Sequence, residues 1–250
     1  MSNALVIIPT YNERENIQAV IKAVFSQPKD FHLLIVDDGS PDGTAAIVKE
    51  LQKIYNEKTT QLHLLEREGK QGLGTAYIAG FKIGLEKGYH YLLEMDADFS
   101  HDPKDLNQLY LACAEGGADL SIGSRYVTGV NVVNWPMSRV LLSYFASAYV
   151  RFITGMPVHD TTAGFVCYKR MVLETLINEK ISAAGYGFQI EMKFNTWKYG
   201  FKIKEVPIIF TDRTLGTSKM SSGIFKEALF GVIALKVRSW FRNYKRNFVA

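Results

Sequence analysis

Short apolar runs alternate with segments of helical spacing along the first part of the chain, and a polar loop follows each run. The four runs cover residues 4–8, 31–36, 62–65 and 91–95. Runs of this length that alternate with helices predict an α/β fold whose mostly parallel sheet is flanked by helices. Right-handed crossovers bring the loops after parallel strands to one edge of the sheet. We therefore expect the four polar loops to meet in one cleft.

Two aspartates end the fourth run. Asp96 and Asp98 stand one residue apart where the predicted strand leaves the core. In open α/β sheets ligands bind beyond the carboxyl ends of the strands, and hard cations such as Mg²⁺ and Mn²⁺ take carboxylate oxygens. The same triplet is also typical of a polar turn that binds nothing. The acid pair by itself leaves both interpretations open.

The three earlier loops carry side chains of different chemistry. Tyr11 and Glu13 follow the first run, Asp38 follows the second, and Lys70 lies in the glycine-containing loop after the third. A nucleoside diphosphate could use all of these side chains. Its base can stack on an aromatic ring, its ribose hydroxyls can donate to carboxylates, and a cation can screen its phosphates. The glycine loop lacks the GxGxxG and GxxxxGK[ST] patterns. Lys70 is therefore interpreted either as a phosphate contact or as an exposed residue at a tight helix start.

Composition excludes several classes of protein. Of the 250 residues, 47% are hydrophobic and 22% charged, which argues against disorder and against a multi-spanning membrane protein. A formal net charge of +4 is too small to indicate a nucleic-acid partner. Cys113 and Cys167 form no CxxC pair, the histidines show no metal-ligand spacing, and the amino terminus lacks a signal-peptide pattern. These features predict a cytoplasmic protein.

Two later segments indicate contact with a membrane surface. Residues 140–150 carry no charge and lie between Arg139 and Arg151, but they are too few to span a bilayer, which needs about 20 apolar residues. A buried helix and a helix in the membrane interface both remain open here. A last amphipathic helix, starting near Gly223, is typical either of attachment to an anionic membrane or of packing against the rest of the chain. Its cations are Lys236, Arg238, Arg242, Lys245 and Arg246.

Eight motifs occur in a fixed order along the chain: PTYNE, VDDGSPDGT, GKQGLGTAY, MDADFSHDP, GSRY, DTTAGF, GFQIEM and RTLGTSKM. Together they resemble the family 2 glycosyltransferases of GT-A fold, a Rossmann-like α/β architecture. Within that family they look most like the polyprenol-phosphate mannosyltransferases, the dolichol-phosphate mannose synthase branch. MDADFSHDP, GSRY followed by Arg139, and RTLGTSKM point to this branch. The resemblance covers about residues 5–222.

The resemblance implies an inverting transfer of mannose from GDP-mannose to a polyprenyl phosphate of the dolichyl type, with Mg²⁺ or Mn²⁺ as cofactor. Together with the pattern of the last helix, it predicts a catalytic domain at 1–222 and a helical extension at 223–250 without a transmembrane span, held peripherally at the cytoplasmic face of a membrane. A UDP-glucose-dependent or other sugar-nucleotide transferase is the alternative. So is a catalytically silent nucleotide-binding module.

The resemblance also assigns roles to particular residues. The donor would be held by Pro9, Tyr11, Glu13, Asp38, Lys70, Asp96, Ala97 and Asp98. The acceptor phosphate would be held by Ser124, Arg125, Arg139 and Ser143. Catalysis would rest on Asp96, Asp98, Arg125, Arg213 and Lys219. The metal would be bound by Asp96 and Asp98 and by Ser100, which stands where some relatives carry glutamine; because a serine reaches less far, water would fill that position.

Overall fold

A seven-stranded sheet forms the centre of this computed structural model, which describes residues 2–177, 179, 181, 185, 187–212 and 223–245, with the side chains of 223–229 left out. Its strands are β1 (Ala4–Thr10), β2 (His32–Asp37), β3 (Leu62–Glu66), β4 (Tyr91–Glu94), β5 (Leu120–Ser124), β7 (Val166–Lys169) and β8 (Ile203–Pro207). The strand order is β3-β2-β1-β4-β7-β5-β8. A separate two-stranded sheet pairs β6 (Val132–Val133) with β9 (Phe210–Thr211).

Eight helices are described, and they cover both faces of the large sheet. They are α1 (Ile17–Phe25), α2 (Thr44–Tyr55), α3 (Leu73–Glu86), α4 (Asp105–Ala114), α5 (Met137–Thr154), α6 (Arg170–Leu176), α7 (Gly187–Lys198) and α8 (Gly223–Trp240). Helices α1, α2 and α4 share one hydrophobic core with the sheet, and α3, α5, α6, α7 and α8 share the other. No helix in the described part of the chain is both long and apolar enough to cross a bilayer.

Strand β1 shows why the apolar runs form the centre of the sheet. Leu5 and Ile7 contribute to one core, while Val6 and Ile8 contribute to the other, and all four are fully buried. A strand covered on both faces reads as a continuous apolar run. Burying each of these side chains stabilises the fold by about 1.5–3 kcal/mol. The runs therefore mark the strands that hold the cleft loops.

Helix α3 lies unusually close to the sheet because it carries glycines on its buried side. A Cβ atom at Gly80 would stand 2.6 Å from Ile7 Cγ2, and one at Gly84 would stand 2.4 Å from Leu92 Cδ2. Real Cβ atoms do not approach so closely, and larger residues here would push the helix away from β1 and β4. These glycines therefore fix the distance of α3 from the two central strands.

The mostly parallel sheet is confirmed, with one strand of opposite direction. Strand β7 lies antiparallel between β4 and β5, although the sequence showed only a strand-like run there. The apolar run at 203–210 forms two elements and not one. It is divided between β8, which is the edge strand, and β9. The short elements α6 and β6 were not predicted.

The carboxyl-terminal helix packs on the catalytic part of the chain. Val232, Leu235 and Ser239 are buried. Two of the cations that had suggested a membrane surface serve this packing: Lys236 donates to the carbonyl of Thr154 at 2.9 Å, and Arg242 forms an ion pair with Glu179. Arg246 lies outside the described residues. The buried side of α8 and two of its cations therefore serve packing within the protein.

Candidate functional site

The loops after β1, β2 and β3 are tied together at the carboxyl edge of the sheet. Thr10 Oγ1 donates to Asp37 Oδ1 at 2.9 Å, the amide of Asp38 donates to the carbonyl of Thr10 at 3.0 Å, and the amide of Arg67 donates to the carbonyl of Asp37 at 2.8 Å. Asp37 is 1% exposed. Buried polar groups that are hydrogen-bonded in this way hold their loops in one arrangement. The predicted convergence of these loops is confirmed.

Pro9 occupies an internal strand, which is unusual for proline. The carbonyl of Ile7 accepts a hydrogen bond from Met95, just past β4, and Pro9 faces the same side two residues later. Strand β4 ends at Glu94, opposite Ile7. A backbone N–H at position 9 would therefore find no acceptor on β4, and proline loses no hydrogen bond here. Pro9 fits because β1 extends beyond β4, towards the cleft.

Tyr11, Glu13 and Lys70 lie together in the cleft. The Lys70 ammonium is 5.4 Å from the centre of the Tyr11 ring, a cation–π distance. The Glu13 carboxylate accepts a hydrogen bond from Asn16 at 3.1 Å. Between them Asn12 has a φ of +57°, a left-handed conformation that asparagine tolerates better than most residues. The loop after β1 thus turns sharply at Asn12, and Lys70 from the loop after β3 lies beside its Tyr11 ring.

Asp38 has a partner that the sequence did not reveal. Arg67 Nε donates to Asp38 Oδ1 at 2.7 Å, and its Nη1 donates to Thr75 Oγ1 at 2.9 Å. The side chains of Asp38 and Arg67 are each 9% exposed. A guanidinium that donates to a carboxylate holds it in one orientation. The only signal for this pair was the position of Arg67 at the head of the glycine loop.

The acid pair lies on a tight turn after β4. Asp96 has 38% of its side chain exposed, whereas Asp98 is 8% exposed and accepts a hydrogen bond from the amide of Ser100 at 3.0 Å. Ala97 between them is buried. Phe99 has a φ of +59°, a left-handed conformation that is strained for a bulky residue and that clusters at functional sites. The turn is therefore held in a demanding conformation that aims the two carboxylates.

The donor atoms at this turn fit a hard divalent cation. Ser100 is 3% exposed, and its hydroxyl oxygen has no hydrogen-bond partner among the described residues. An orphaned buried hydroxyl beside two carboxylates is an oxygen-only set of the kind that Mg²⁺ and Mn²⁺ take. The described residues contain no cluster of three His, Cys, Asp or Glu side chains that could hold a metal. A cation here would complete its coordination with water or with phosphate oxygens.

His101 supports the acid pair from beneath, a role that sequence reasoning missed. Its Nδ1 accepts a hydrogen bond from the amide of Asp96 at 3.2 Å, and its ring stacks on Phe165 with centroids 4.7 Å apart. Burial lowers the pKa of His101 to about 4, and the nearby Asp98 offsets this only in part. The imidazole is therefore neutral at physiological pH. It acts as a fixed acceptor under the turn.

Arg125, just past β5, is bound by a carboxylate that the sequence did not pair with it. Its Nε and Nη2 donate to Asp160 at 2.7 and 2.6 Å, and Asp160 is fully buried. Burial alone would raise the pKa of Asp160, but the Arg125 guanidinium outweighs it and lowers that pKa. The guanidinium also lies within 5.5 Å of the rings of Tyr126, Trp135 and Phe210. Arg125 thus organises an aromatic group at the end of β5.

Ser124 supports this region from inside and does not line it. The side chain is fully buried, and its hydroxyl donates to Glu205 Oε1 at 2.7 Å. The same carboxylate accepts from the amide of Asp160 at 2.9 Å and from the amide of His159 at 2.8 Å. The Ser124 hydroxyl is therefore engaged inside the protein, and its predicted contact with an acceptor phosphate stays a prediction. Glu205 instead holds the segment that carries Asp160.

Arg139 and Ser143 lie on α5 beside the same aromatic group. Arg139 Nη1 donates to both carboxylate oxygens of Asp212 at 2.8 and 2.9 Å, and its guanidinium lies 4.1 Å from the centre of the Trp135 ring. Its side chain is 33% exposed. Ser143 accepts a hydrogen bond from the Tyr126 hydroxyl at 2.7 Å. The structure therefore brings three of the four predicted acceptor residues together, with Arg139 the more exposed cation.

Arg213 and Lys219 lie outside the described residues. Asp212, the partner of Arg139, is the last described residue before them. Their predicted contact with the donor phosphates stays a prediction.

Solved structures share this fold at low sequence identity. Glucosyl-3-phosphoglycerate synthase from Mycobacterium tuberculosis, solved with Mn²⁺, uridine diphosphate and glucosyl-3-phosphoglycerate, aligns with a TM-score of 0.65 and 18% identity over 94% of this chain and 78% of its own. A mannosyltransferase from Pyrobaculum calidifontis, solved with GDP-mannose and Mn²⁺, aligns with a TM-score of 0.60 and 16% identity over 96% of this chain and 64% of its own. These similarities confirm the GT-A fold.

Curated relatives are much more similar in sequence. The polyprenol monophosphomannose synthase of Mycolicibacterium smegmatis is 48% identical over 94% of this chain and 87% of its own length. The undecaprenyl-phosphate mannosyltransferase of Micrococcus luteus is 45% identical over 91% of each chain. The model of the family described as glycosyl transferase family 2 matches residues 5–177, well over half of the chain. The chain therefore belongs to glycosyl transferase family 2.

Proposed function

We propose that this glycosyltransferase moves mannose from GDP-mannose to a polyprenyl phosphate, with inversion at the anomeric carbon. The observation that carries the proposal is the arrangement of the cleft. Side chains suited to binding a nucleotide, from the loops after β1, β2 and β3, lie on one side of the acid pair. Arg139 lies on the other side, next to the Trp135 ring. The names of the two curated relatives support the same sugar and the same class of lipid acceptor.

The donor half of the cleft suits a nucleoside diphosphate. Tyr11 offers a ring to the base or ribose, and Glu13 and Asp38 offer carboxylates to hydroxyl or N–H donors. Lys70, held near Tyr11, supplies positive charge next to them. Since Asp38 is oriented by Arg67, it can accept from the donor without first reorganising. Pro9 and Ala97 shape the backbone around these groups.

Asp96, Asp98 and Ser100 would hold a divalent cation, Mg²⁺ or Mn²⁺. A cation bound there would neutralise charge on the leaving diphosphate. The chain's own contribution is to fix the two carboxylates. The Ser100 amide orients Asp98, and the neutral His101 ring holds the backbone of Asp96. The exposed Asp96 and the buried Asp98 thus reach the cleft from one rigid turn.

The acceptor supplies its own nucleophile. A phosphate monoester is anionic at neutral pH, so its oxygen can attack the anomeric carbon without a strong general base. The new bond joins that oxygen to the sugar, the bond to the β-phosphate of the donor breaks, and GDP leaves with the electron pair. Arg139 offsets the charge of the incoming phosphate. Both arginines are paired with a carboxylate, but Arg125 is the more deeply buried, and we assign it the task of holding Tyr126 and Trp135 in place.

Helices α5 and α8 pack together and leave large apolar side chains on their outer side. We call this the α5–α8 surface. It comprises Met137, Leu141, Leu142, Tyr144, Phe145, Phe152, Phe230, Ile233, Val237, Trp240 and Phe241. The exposed cations Arg151, Arg238 and Lys245 accompany it. Apolar side chains with basic residues favour an anionic membrane surface, which supports a peripheral, cytoplasm-facing position for the enzyme and a docking role for the 223–250 extension.

A direct transfer assay tests the proposed function. Purified protein is incubated with radiolabelled GDP-mannose or UDP-glucose, a short polyprenyl phosphate and either Mg²⁺ or Mn²⁺. We expect label in the lipid extract from GDP-mannose, and only when a divalent cation is present. Label from UDP-glucose alone would establish the alternative donor. No transfer from either donor would favour a nucleotide-binding module without catalysis.

A further inference from the structure

Helix α7 buries polar side chains in a place where apolar ones would be expected. Residues 188–196 are all buried, yet five of them are polar. They are Gln189, Glu191, Lys193, Asn195 and Thr196. Burying a polar or charged group costs free energy unless it is hydrogen-bonded, and well-packed apolar residues often replace such groups without loss of stability. Packing alone therefore does not account for this helix.

Lys193 is the more deeply buried of the two buried charged residues on this helix. It has no exposed surface, and its ammonium donates to the carbonyl of Ala163 at 2.6 Å, to the carbonyl of Gln189 at 3.3 Å and to Gln189 Oε1 at 3.2 Å. A lysine ammonium has three donors, and here each has an acceptor. Ala163 lies three residues after Asp160, the carboxylate that binds Arg125. Lys193 thus holds the segment that orders the acceptor side of the cleft.

Gln189 continues the network to the donor side. Its Nε2 donates to Glu94 Oε2 at 2.5 Å. Glu94 is fully buried and is the last residue of β4, two residues before Asp96. The Gln189 side chain thus accepts a hydrogen bond from Lys193 through its oxygen and donates one to Glu94 through its nitrogen. A single turn of α7 connects the strand that carries the acid pair to the segment that carries Asp160.

We propose that Lys193 and Gln189 are positioning residues that set the separation between the donor site at the acid pair and the acceptor site at Arg139, which Arg125 helps to order. Neither residue needs to touch a substrate. The reacting phosphate oxygen and the anomeric carbon must be brought to about 3–3.5 Å with correct alignment, and a misplacement of about 1 Å can cost about 100-fold in rate. Two separately intact half-sites would still bind their ligands but would react slowly.

This inference rests on the proposed function and predicts a particular kinetic pattern. In Gln189→Glu the residue keeps an acceptor for Lys193 but faces Glu94 with a second carboxylate, so the link to β4 is lost. We expect kcat to fall by about 10–100-fold while both KM values change less than about three-fold. In the double variant Gln189→Glu with Glu94→Gln, the amide donor stands at position 94 and the carboxylate acceptor at position 189, so the hydrogen bond can form again. The double variant should regain most of kcat.

A matched control comes from the same helix. Thr196 is equally buried, but its hydroxyl donates to the carbonyl of Met192 within α7 at 2.8 Å and links no other element. Thr196→Val should lower the melting temperature slightly and leave kcat unchanged. Lys193→Met, which removes the ammonium at similar length, should lower kcat as Gln189→Glu does. Thermal unfolding of every variant separates lost stability from lost positioning.

The outcomes distinguish failure of the positioning role from failure of the proposed function. If the wild-type enzyme transfers sugar and Gln189→Glu keeps its kcat, or if the double variant does not recover, the positioning role is wrong. If Thr196→Val loses as much kcat as Gln189→Glu, the network is merely structural. If the wild-type enzyme transfers no sugar from GDP-mannose or UDP-glucose, the proposed function fails and the inference falls with it.

Discussion

At the residue scale, the acid pair consists of two carboxylates in different environments. Asp98 is buried and oriented by the Ser100 amide, whereas Asp96 is partly exposed and its backbone rests on His101. The sequence allowed the pair to be found, because both aspartates follow a recognisable strand. It could not identify His101 as their support, since a stacked imidazole depends on Phe165, which is distant in sequence.

Asp98→Asn tests the carboxylate charge with little disturbance of the turn. The amide oxygen of asparagine can still accept from the Ser100 amide, so the melting temperature should stay close to that of the wild type. Loss of the charge should lower the transfer rate by at least about 100-fold. It should also raise the Mg²⁺ or Mn²⁺ concentration that gives a half-maximal rate. Asp102→Asn, at an exposed aspartate four residues later, is the control. Normal turnover in Asp98→Asn would remove this aspartate from the metal site.

Ser100→Ala separates a ligand role from a structural one. The hydroxyl has no hydrogen-bond partner among the described residues, so its removal should leave the free energy of unfolding within about 0.5 kcal/mol of the wild-type value. If the hydroxyl contacts the cation directly or through water, the Mn²⁺ concentration at half-maximal rate should rise by about ten-fold. Rates measured across a Mn²⁺ titration provide the comparison. An unchanged titration curve would show that Ser100 is not part of the site.

At the scale of elements, strands and helices with a strong period were predicted and the short ones were not. The first four strands each have a continuous apolar run, and their helices follow with regular spacing. Helix α6 has seven residues and β6 has two, too few for a period to emerge. Helix α5 left two interpretations open, and its exposed apolar side chains show that it is not a fully buried helix.

Substitutions on the α5–α8 surface should weaken membrane binding without weakening the fold. Phe145 and Phe152 are 62% and 87% exposed, so replacing both with serine removes little buried area. We expect the double variant to sediment at least about ten-fold less with vesicles of phosphatidylglycerol and phosphatidylcholine, since each phenylalanine gains up to about 1.5–3 kcal/mol on burial. Use of long polyprenyl phosphates should fall more than use of short ones.

The control for this experiment is an apolar residue elsewhere on the surface. Ile54 is 64% exposed and lies on α2, a helix that packs on the opposite face of the sheet. Ile54→Ser should sediment with vesicles as the wild type does. Equal sedimentation of the phenylalanine variant and the wild type would contradict a membrane role for this surface.

At the scale of the whole molecule, charged pairs join parts of the chain that lie far apart in sequence. Arg125 with Asp160 and Arg67 with Asp38 are such pairs. The sequence showed that these charges lie past strand ends, so the cleft could be predicted. It could not show which acid meets which base, because the partner is fixed by strand order and above all by the position of β7. For this reason the carboxylates that bind Ser124 and Arg125, Glu205 and Asp160, were not predicted.

Stability should decline in mild acid because of histidines at the end of the sheet opposite the cleft. Tyr89 OH lies 2.6 Å from His32 Nδ1 and 3.1 Å from His63 Nε2. Burial lowers the pKa of both imidazoles from 6.5, that of His63 to about 4. The unfolded chain therefore binds more protons between these values, and stability is lost as pH falls from 6.5 towards 4.

Urea unfolding at a series of pH values measures this loss. We expect His63→Gln to flatten the pH dependence by on the order of 1 kcal/mol between pH 7 and pH 4.5, after allowance for partial solvent exposure. His90→Gln, at an imidazole for which no such contact is found among the described residues, should leave the slope as it is in the wild type. Equal slopes for His63→Gln and the wild type would contradict the assignment.

The reversed strand β7 also determines when the sheet can close during folding. Strands β4 and β5 both pair with β7 and not with each other. A chain synthesised only as far as Ser124 therefore has β5 without either of its neighbours, because β8 is made later still. The middle of the sheet must wait for residues 166–169, and until then one edge of β4 and both edges of β5 are open to association with other chains. The donor and acceptor halves of the cleft are thus completed in a single late step of assembly.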